Sequence, residues 1–582
     1  MISHFSSFKV KISPSPFTTK KGLEFENTAC ISFLDENKKE IAYLELAYID
    51  EEYIFSLISE KKSIILDEGY IENFSLSSYR KKNKLSEEEL VELIDFSAKD
   101  AVFDSKNETD FTFANFSGNS FSFKGTMFIN GSVSFLSSKF PAGKQDFTYI
   151  HFFNGEVNFA NTHFGEGNVD FKNTVFKAGT KDFQYAEFGL CSVSFVNTDF
   201  GDGDVNFINT NFGDGDVSFK VARFGTGKVD FHFSRFGNGD ISFERTEFGD
   251  GRVDFRKVEF SNGKVNFNRA IFGDGDVSFE ESELLDNRMT FKKTSFGFGN
   301  IVFEEVDYKT SEVLFDDTLF AKGNVYFGKS KFKKLSLISC HLNHYYDFRV
   351  SFCEQLDLSD TIVRDIVDFT PYDYDVEIKC LNLTGMRLIG QIYIDWHGNN
   401  VKEIITKQEN TSNAEKANQF RVLKENYGRI GNYKYEDLAY IQFKRHEQKA
   451  DFSKALNNNK FSALWQYPLF GFRSVVIDRM GLYATSPARV FTSLIMVYVF
   501  FSLLHLILPF FMDTAINCIT DDKSFLFKIL DTFYYSLITF TTVGYGDCSP
   551  VGFLRLVASV EGFLGPFMMS YFTVAFARKI LR

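Results

Sequence analysis

Tryptophan, proline and paired cysteines are scarce in this chain: 582 residues hold 2 Trp, 9 Pro and 7 Cys. The cysteines, at 30, 191, 340, 353, 380, 518 and 548, form no CxxC pair and no metal-ligand spacing. The first five fall in a part read as cytosolic, where free buried thiols are expected. No Walker-type loop, no HExxH and no nucleophile elbow is present, so neither enzymatic chemistry nor a cofactor is expected. Basic excess is missing too. There are 64 Lys and Arg against 77 Asp and Glu, a net charge of −13, which argues against a nucleic-acid partner. The opening residues, Met1 to Phe5, lack the apolar segment of a secretory signal. A mean hydropathy of −0.15 excludes a protein made mostly of membrane spans.

One residue is present in excess: 73 Phe. From Phe111 to Phe327 every twelfth position is Phe, and a second series from Phe116 to Phe332 is broken only by Leu284 and Tyr308. A typical repeat runs Val205-Asn206-Phe207-Ile208-Asn209-Thr210-Asn211-Phe212-Gly213-Asp214-Gly215-Asp216. Val205 and Phe207 point to one side of a short strand, and so do Thr210 and Phe212. Gly213 and Gly215 mark a turn through their tolerance of positive φ. Each repeat is therefore a five-residue side plus a seven-residue side. This resembles the pentapeptide-repeat family, which implies a four-sided right-handed β-helix with one inward side chain per face. The two-residue insertion at every second face departs from that pattern. It leaves open a coil of two repeats, stacking position i on i+24, or of one, stacking i on i+12. The former is favoured, because a one-repeat coil has too little cross-section to enclose two Phe rings. The 222 residues of the repeat region then give about nine coils, a rod of roughly 45 Å.

The Gly-Asp-Gly-Asp turns invite a calcium reading, but the position after the second Gly runs Asp204, Asp216, Lys228, Asp240, Arg252, Lys264, Asp276. Cations interrupt any carboxylate row, so a solvated turn of mixed charge is expected, and the same residues weaken a DNA-mimic reading.

Residues 1–105 read as a β-rich cap or sensor, with strands at 8–12, 41–46 and 63–66 and a short capped helix at 86–94. The solenoid is expected over 106–396. A helical linker over 397–460 follows, with Phe420, Leu423, Tyr427 and Ile430 on one helix face and a break at 428–432. An interfacial helix over 461–484 carries Trp465, Phe470, Phe472, Val475 and Val476 with Arg473 and Arg479, a composition that suits membrane lipids.

Residues 490–512 carry no formal charge over about 34 Å of helix, enough to span a bilayer, and Ser486-Pro487 is a helix start. A second span covers about 553–577. Between them a short apolar stretch, 525–540, leads into Thr541-Thr542-Val543-Gly544-Tyr545-Gly546-Asp547. A dehydrated potassium ion needs a ring of backbone carbonyls pointing to one side. Gly544 and Gly546 supply the unusual φ values, Thr542 adds its hydroxyl, and the preceding helix aims its negative end at the ion. Residues 485–582 resemble the pore of the potassium-channel family. The resemblance implies a homotetramer with K+ as the permeant ion and Thr542, Val543, Gly544 and Tyr545 as the selectivity filter. Thr541, Gly546 and Asp547 would support the filter.

No Arg-rich helix precedes the pore, so no voltage sensor is expected. The sequence stops at Arg582, directly after the second span, so any gating domain is expected on the N-terminal side. Arg473, Arg479 and Arg489 before the first span, and Arg578, Lys579 and Arg582 after the second, contrast with Asp513, Asp521, Asp522, Asp531 and Asp547 between them. Both termini are thus expected in the cytosol of a cell (inner) membrane protein. Gly562, Gly565 and Pro566 mark a kink and a gating hinge in the second span. Glu561 is expected as a buried hydrogen-bond partner behind the filter and His505 as an interhelical hydrogen-bonder. The fold class expected is multidomain: a right-handed β-helix, a helical linker and a two-span tetrameric pore. The solenoid would gate the pore, sense something or dock an unidentified cytosolic ligand or protein. The competing reading is a membrane-tethered interaction scaffold whose pore segment serves as an oligomerising anchor.

Overall fold

A computed structural model describes residues 5–458, 460–519 and 524–581, with the side chains of 457–465 left aside. Asp521, Asp522 and Arg582, which entered the charge argument, lie outside the described residues, and the Trp465 side chain is not described. The chain divides into two units, Met1–Gln408 and Glu409–Arg582.

The first unit is a parallel β-solenoid of about 14 turns. Its coil takes two repeats, because Val205 pairs with Val229 and Val217 with Ile241. Two further ladders, of single bridges such as Asn211 to Arg235 and Arg223 to Glu247, complete four sides. Each side contributes one Phe to the interior, and the rings form columns. Phe207 stacks on Phe231 at 4.8 Å, Phe212 on Phe236 at 4.5 Å, Phe219 on Phe243 at 4.9 Å and Phe224 on Phe248 at 5.1 Å. Neighbouring columns meet edge to face, as Phe207 and Phe219 do at 5.7 Å and 81°. Each such pair adds about 0.5–1.5 kcal/mol beyond its buried area. The small residue two before each second-series Phe has its own task. Thr210 Oγ1 donates to the Phe183 carbonyl one coil back at 2.7 Å, and Ser234 Oγ to that of Phe207 at 2.6 Å.

The glycine turns match the sequence expectation in part: Gly213 takes a positive φ of 68°. Gly215 does not take a positive φ; the recurrent left-handed residue is the one before the small residue, such as Asn209 (52°), Val221 (59°) and Phe233 (60°). Gly215 is required by stacking instead: a Cβ there would sit 1.9 Å from the Cys191 carbonyl oxygen of the coil beneath. The turn aspartates also have structural partners. Asp204 Oδ1 accepts the Lys228 N–H at 2.8 Å and Asp216 Oδ1 that of Asp240 at 2.9 Å. They bind the next coil's backbone, so the row is a ladder of side-chain caps.

Two N-terminal expectations need correction. Residues 86–94 form no helix: Val91–Ile94 is a strand paired in parallel with Ala114–Ser117. Its alternate residues Val91 and Leu93 are buried in the solenoid interior, and that period-two pattern outweighs the local helix propensity. The solenoid also starts inside 1–105. The segment before it is separate in kind: Ser7–Ser13, Thr28–Leu34 and Glu40–Ile49 form an antiparallel sheet followed by α1 (Glu51–Ser59). The sheet packs over Tyr70, Val102 and Ile129 on the outer face of the first turns. From there Ile65 bridges Ser97 and Ser97 bridges Ser122, and Phe74, Phe96 and Phe103 are buried. Helix α2 (Leu76–Asn83) is inserted between Ile65 and Ser97 and lengthens that coil, so the two-repeat period is hidden there. Helix α3 (Val401–Thr406) lies at the far end of the unit.

The second unit opens with a helical hairpin, α4 (Asn413–Arg429) and α5 (Tyr433–Asn458). A capping box of Ser412 and Glu415 starts α4, and Gly431, at φ 77°, makes the turn. Helix α6 (Lys460–Phe472) continues into a wide turn over Arg473–Arg479. Then come α7 (Pro487–Ile507), α8 (Phe525–Phe540) and α9 (Leu554–Ile580). Ser486 caps α7 by accepting the Arg489 N–H, with Pro487 in the first turn. Pro487–Phe510 and Leu554–Ile580 are both long and apolar enough to cross a membrane.

Candidate functional site

Helix α8 fills the place between the two long apolar helices, and the chain turns sharply at its end. The Val543 and Gly544 N–H groups both donate to the Ile538 carbonyl, at 2.9 and 3.2 Å. Thr542, Gly544 and Gly546 all take positive φ, at 57°, 53° and 81°. Left-handed residues at every second position turn successive carbonyls away from the alternation of an ordinary strand. Of these, Thr542 was not anticipated; its β-branched side chain makes that φ costly, on the order of 1–3 kcal/mol. Strain of that kind clusters at functional segments. Val543 is 51% and Tyr545 73% exposed in the single chain, and a Cβ on Gly544 or Gly546 would meet nothing within 4 Å. The segment is thus open on these sides within the single chain. Tyr534 Oη on α8 donates to Asp547 Oδ2 at 3.0 Å, tying the segment's far end back to the helix.

Behind the segment three buried polar side chains join three helices. Glu561 on α9 is fully buried. One of its oxygens accepts from Ser536 of α8, and the other bonds His505 Nε2 of α7 at 2.8 Å. Glu561 and His505 thus occupy the bonding roles expected of them, while Ser536 was missed; serine in an apolar helix was the available signal. Tyr498 Oη of α7 adds a bond to the Phe533 carbonyl of α8 at 3.0 Å.

The three residues assigned to a hinge have different surroundings. A Cβ on Gly565 would fall 1.8 Å from the Phe540 carbonyl, so this glycine lets α9 touch the C-terminal end of α8. Gly562 has space, its nearest foreign atom being the Thr539 carbonyl at 3.9 Å. Pro566 lies within α9, which is one continuous helix.

A second set of contacts surrounds the end of α9. Arg578 Nη2 and Lys579 Nζ both reach Asp437 of α5, at 3.2 and 3.5 Å, and the Arg578 guanidinium lies 4.2 Å from the Tyr440 ring centre. Arg578 Nη1 also donates to the Tyr483 carbonyl at 3.3 Å. Tyr483 is the middle of three successive left-handed residues, Leu482, Tyr483 and Ala484, at φ 48°, 55° and 61°. This elbow precedes α7 and is held from two directions. Gln448 of α5 accepts from Tyr483 Oη at 3.0 Å, and Tyr571 of α9 accepts the Ala484 N–H at 3.0 Å while donating to the Ile477 carbonyl at 2.9 Å. Arg445 of α5 makes a two-bond ion pair with Asp478, both bonds 2.9 Å. Sequence reading placed the hairpin but not these contacts, since no periodicity links positions 437 and 578.

Residues 491–582 match a protein family described as Ion channel. The C-terminal segment is an ion-channel domain. No curated protein and no solved structure matched the chain. The ion-channel domain contains α8, the 541–547 segment, α9 and nearly all of α7. It also contains the two cysteines that are disulfide-bonded, Cys518 and Cys548, between the apolar helices. Spacing alone did not reveal that pair. Cys30, Cys191, Cys340, Cys353 and Cys380 form no disulfide, as expected.

Among the described residues one grouping has metal-ligand character, Asp230, His232 and Asp254 on the solenoid. Arg256 binds both oxygens of Asp254, at 2.9 and 2.7 Å, and Lys228 reaches Asp230 at 2.5 Å. Those cations already neutralise the carboxylates, so the grouping is an ion-pair network.

Proposed function

We propose that this chain forms a homotetrameric, potassium-selective channel of a cell membrane, gated from its N-terminal side. The observation that carries the reading is the backbone of 541–547. Thr-Thr-Val-Gly-Tyr-Gly-Asp follows a short helix between two apolar helices, with left-handed residues at 542, 544 and 546. Four copies around an axis would ring a dehydrated cation with the carbonyls of Thr542, Val543, Gly544 and Tyr545. Thr541, Gly546 and Asp547 hold the ends, the last through Tyr534. The exposure of Val543 and Tyr545 in one chain fits a segment whose partners are three further copies and permeant ions.

The orientation expected from charge gains support from cysteine chemistry. The disulfide lies between the spans in the chain, and disulfides persist outside the cytosol, so the stretch between the spans would face away from the cytosol. Both termini then lie in the cytosol. Gating would act through the inner end of α9, where Asp437 of α5 binds Arg578 and Lys579. Movement of the α4–α5 hairpin, which follows the solenoid in the chain, would pull on α9 and on the strained elbow together. Gly562 and Pro566 remain the positions at which α9 would bend. The wide turn and α6, with Tyr467, Leu469, Phe472 and Val475 exposed, would rest on inner-leaflet lipids.

The mass of the detergent-purified assembly, together with potassium efflux from proteoliposomes and its block by barium, tests this reading. A tetramer with barium-blocked efflux is expected. A monomer or trimer without flux would favour the scaffold alternative.

A further inference from the structure

Where the N-terminal sheet covers the first solenoid turns, the structure holds a cavity of about 840 Å³. Every residue from Ile41 to Leu46 lines it. Side chains alternate between the two faces of a strand, so a space touched by six consecutive residues runs along the backbone edge. Among the described residues, no strand pairs with that edge over residues 41–46. The strand Glu40–Ile49 pairs along its length with Thr28–Leu34 on one side, but on the other it meets Gly69–Glu72 only through Ala47, Tyr48 and Ile49. Proteins blunt such edges with proline, lysine or bulges. The stretch Glu40-Ile41-Ala42-Tyr43-Leu44-Glu45-Leu46 has neither Pro nor Lys; its one irregularity is at Ile41, at the start of the strand, so residues 42–46 keep a regular edge, and Ile41 and Tyr43 are about half exposed.

The opposite wall comes from successive solenoid turns and gives the cavity its charge. Glu45, Glu68 and Asp100 line it against one cation, Lys20. Lys20 is committed to Glu68, through its ammonium at 2.6 Å and its backbone N–H at 2.7 Å. The excess of three carboxylates over one ammonium is two negative charges. Tyr43 and Tyr149 add aromatic faces of the kind that attract lysine and arginine side chains. His151, 7% exposed, also lines the cavity, and its Nδ1 has no hydrogen-bond partner.

We propose that this free edge takes up an extended, basic peptide segment of a partner protein as an added strand. Main-chain bonds to residues 41–46 would supply the affinity, and the surplus carboxylates would select lysine or arginine at alternate positions. This goes beyond the channel reading by giving the N-terminal region a partner of stated chemistry.

The test uses the full-length protein in detergent and the fluorescein-labelled hexapeptide Lys-Val-Lys-Val-Lys-Val, followed by anisotropy. Two control peptides are the Glu-Val analogue and a Lys-Val peptide N-methylated at alternate residues. Saturable binding of the first is expected, at least tenfold tighter than either control. The double variants Glu45→Lys/Asp100→Lys and Glu45→Gln/Asp100→Asn should each bind at least fivefold more weakly, with thermal unfolding unchanged. Absence of saturable binding would overturn the proposal. Equal binding of the N-methylated peptide would also do so, since a site for free organic cations needs no strand pairing. Indifference to both double variants would overturn it as well. Binding is read without ion flux, so this result and the channel result stand or fall separately.

Discussion

The solenoid and the ion-channel domain solve the burial problem in opposite ways. Within one solenoid chain each Phe ring is covered by its copies one coil before and after, as Phe231 is by Phe207 and Phe255 at 4.8 and 4.9 Å. Its core is complete, and the same contact recurs at every turn. In the channel domain the apolar side chains point outward: Met496 is 71%, Phe500 57% and Phe563 75% exposed. What the single chain holds there is a small set of unique polar contacts: Glu561 with His505 and Ser536 inside the domain, and Arg578 and Lys579 with Asp437 of α5. A repeated core tolerates local damage, because neighbouring turns still cover one another. A domain held by unique contacts, and completed in our proposal by lipid and other copies, should fail when one of them is lost.

That contrast can be broken by substitution. Gly565→Leu should have the largest effect: its side chain would enter the space of the Phe540 carbonyl, and potassium flux should fall more than tenfold with solenoid unfolding unchanged. Gly562→Ala, with open space, should leave assembly and thermal unfolding unchanged, and any effect should appear as a shift in open probability at a bending position of α9. Phe231→Ala should lower solenoid stability by about 3–5 kcal/mol in chemical denaturation, yet leave flux at room temperature in place. If the damage spread and abolished assembly, the idea of a locally tolerant core would be wrong. Asp437→Asn removes an ion pair that is partly solvated, so its effect should be modest, about 1 kcal/mol or roughly fivefold in open probability. An unchanged open probability in bilayer recordings would remove the hairpin from the gating account.

The smallest effect concerns His446 on α5, which bonds Asn413 at 2.9 Å and stacks on Phe420. Burial, then Lys449, Lys416 and Arg445, push its pKa down to about 4 from an ordinary 6.5. In that window the unfolded chain binds a proton that the folded hairpin does not. Stability is therefore fully present above about pH 6.5 and is lost as pH falls toward 4. The unfolding midpoint of the α4–α5 hairpin should fall with pH over that range, and His446→Gln should flatten the slope. An identical slope in the variant would assign the pH dependence to other groups.

What could be read in the sequence follows from the same contrast. Phe at nineteen successive twelfth positions announces itself, and so do a capped apolar helix and the seven-residue Thr-Thr-Val-Gly-Tyr-Gly-Asp motif. The helix Phe525–Phe540 and the start at Ser486-Pro487 were legible because each is determined by neighbours in the chain. The first solenoid turns were not, since the inserted helix Leu76–Asn83 stretched one coil beyond the common period. The positive φ of Gly213 was legible, but the role of Gly215 was not, because the contact that requires it lies on the coil beneath, a full turn away in the chain. Ser536, Asp437 and the Cys518–Cys548 bond share that character: each is set by a distant part of the chain, which no local pattern reports.

Reversal potentials of the purified, bilayer-reconstituted protein under opposed potassium and sodium gradients test the central claim most directly. If the carbonyls of residues 542–545 replace the hydration shell of a potassium ion, the potential should lie close to the potassium equilibrium value. It should move toward zero when Gly544 is replaced by Ala. A wild-type potential near zero, with sodium passing as readily as potassium, would contradict the account.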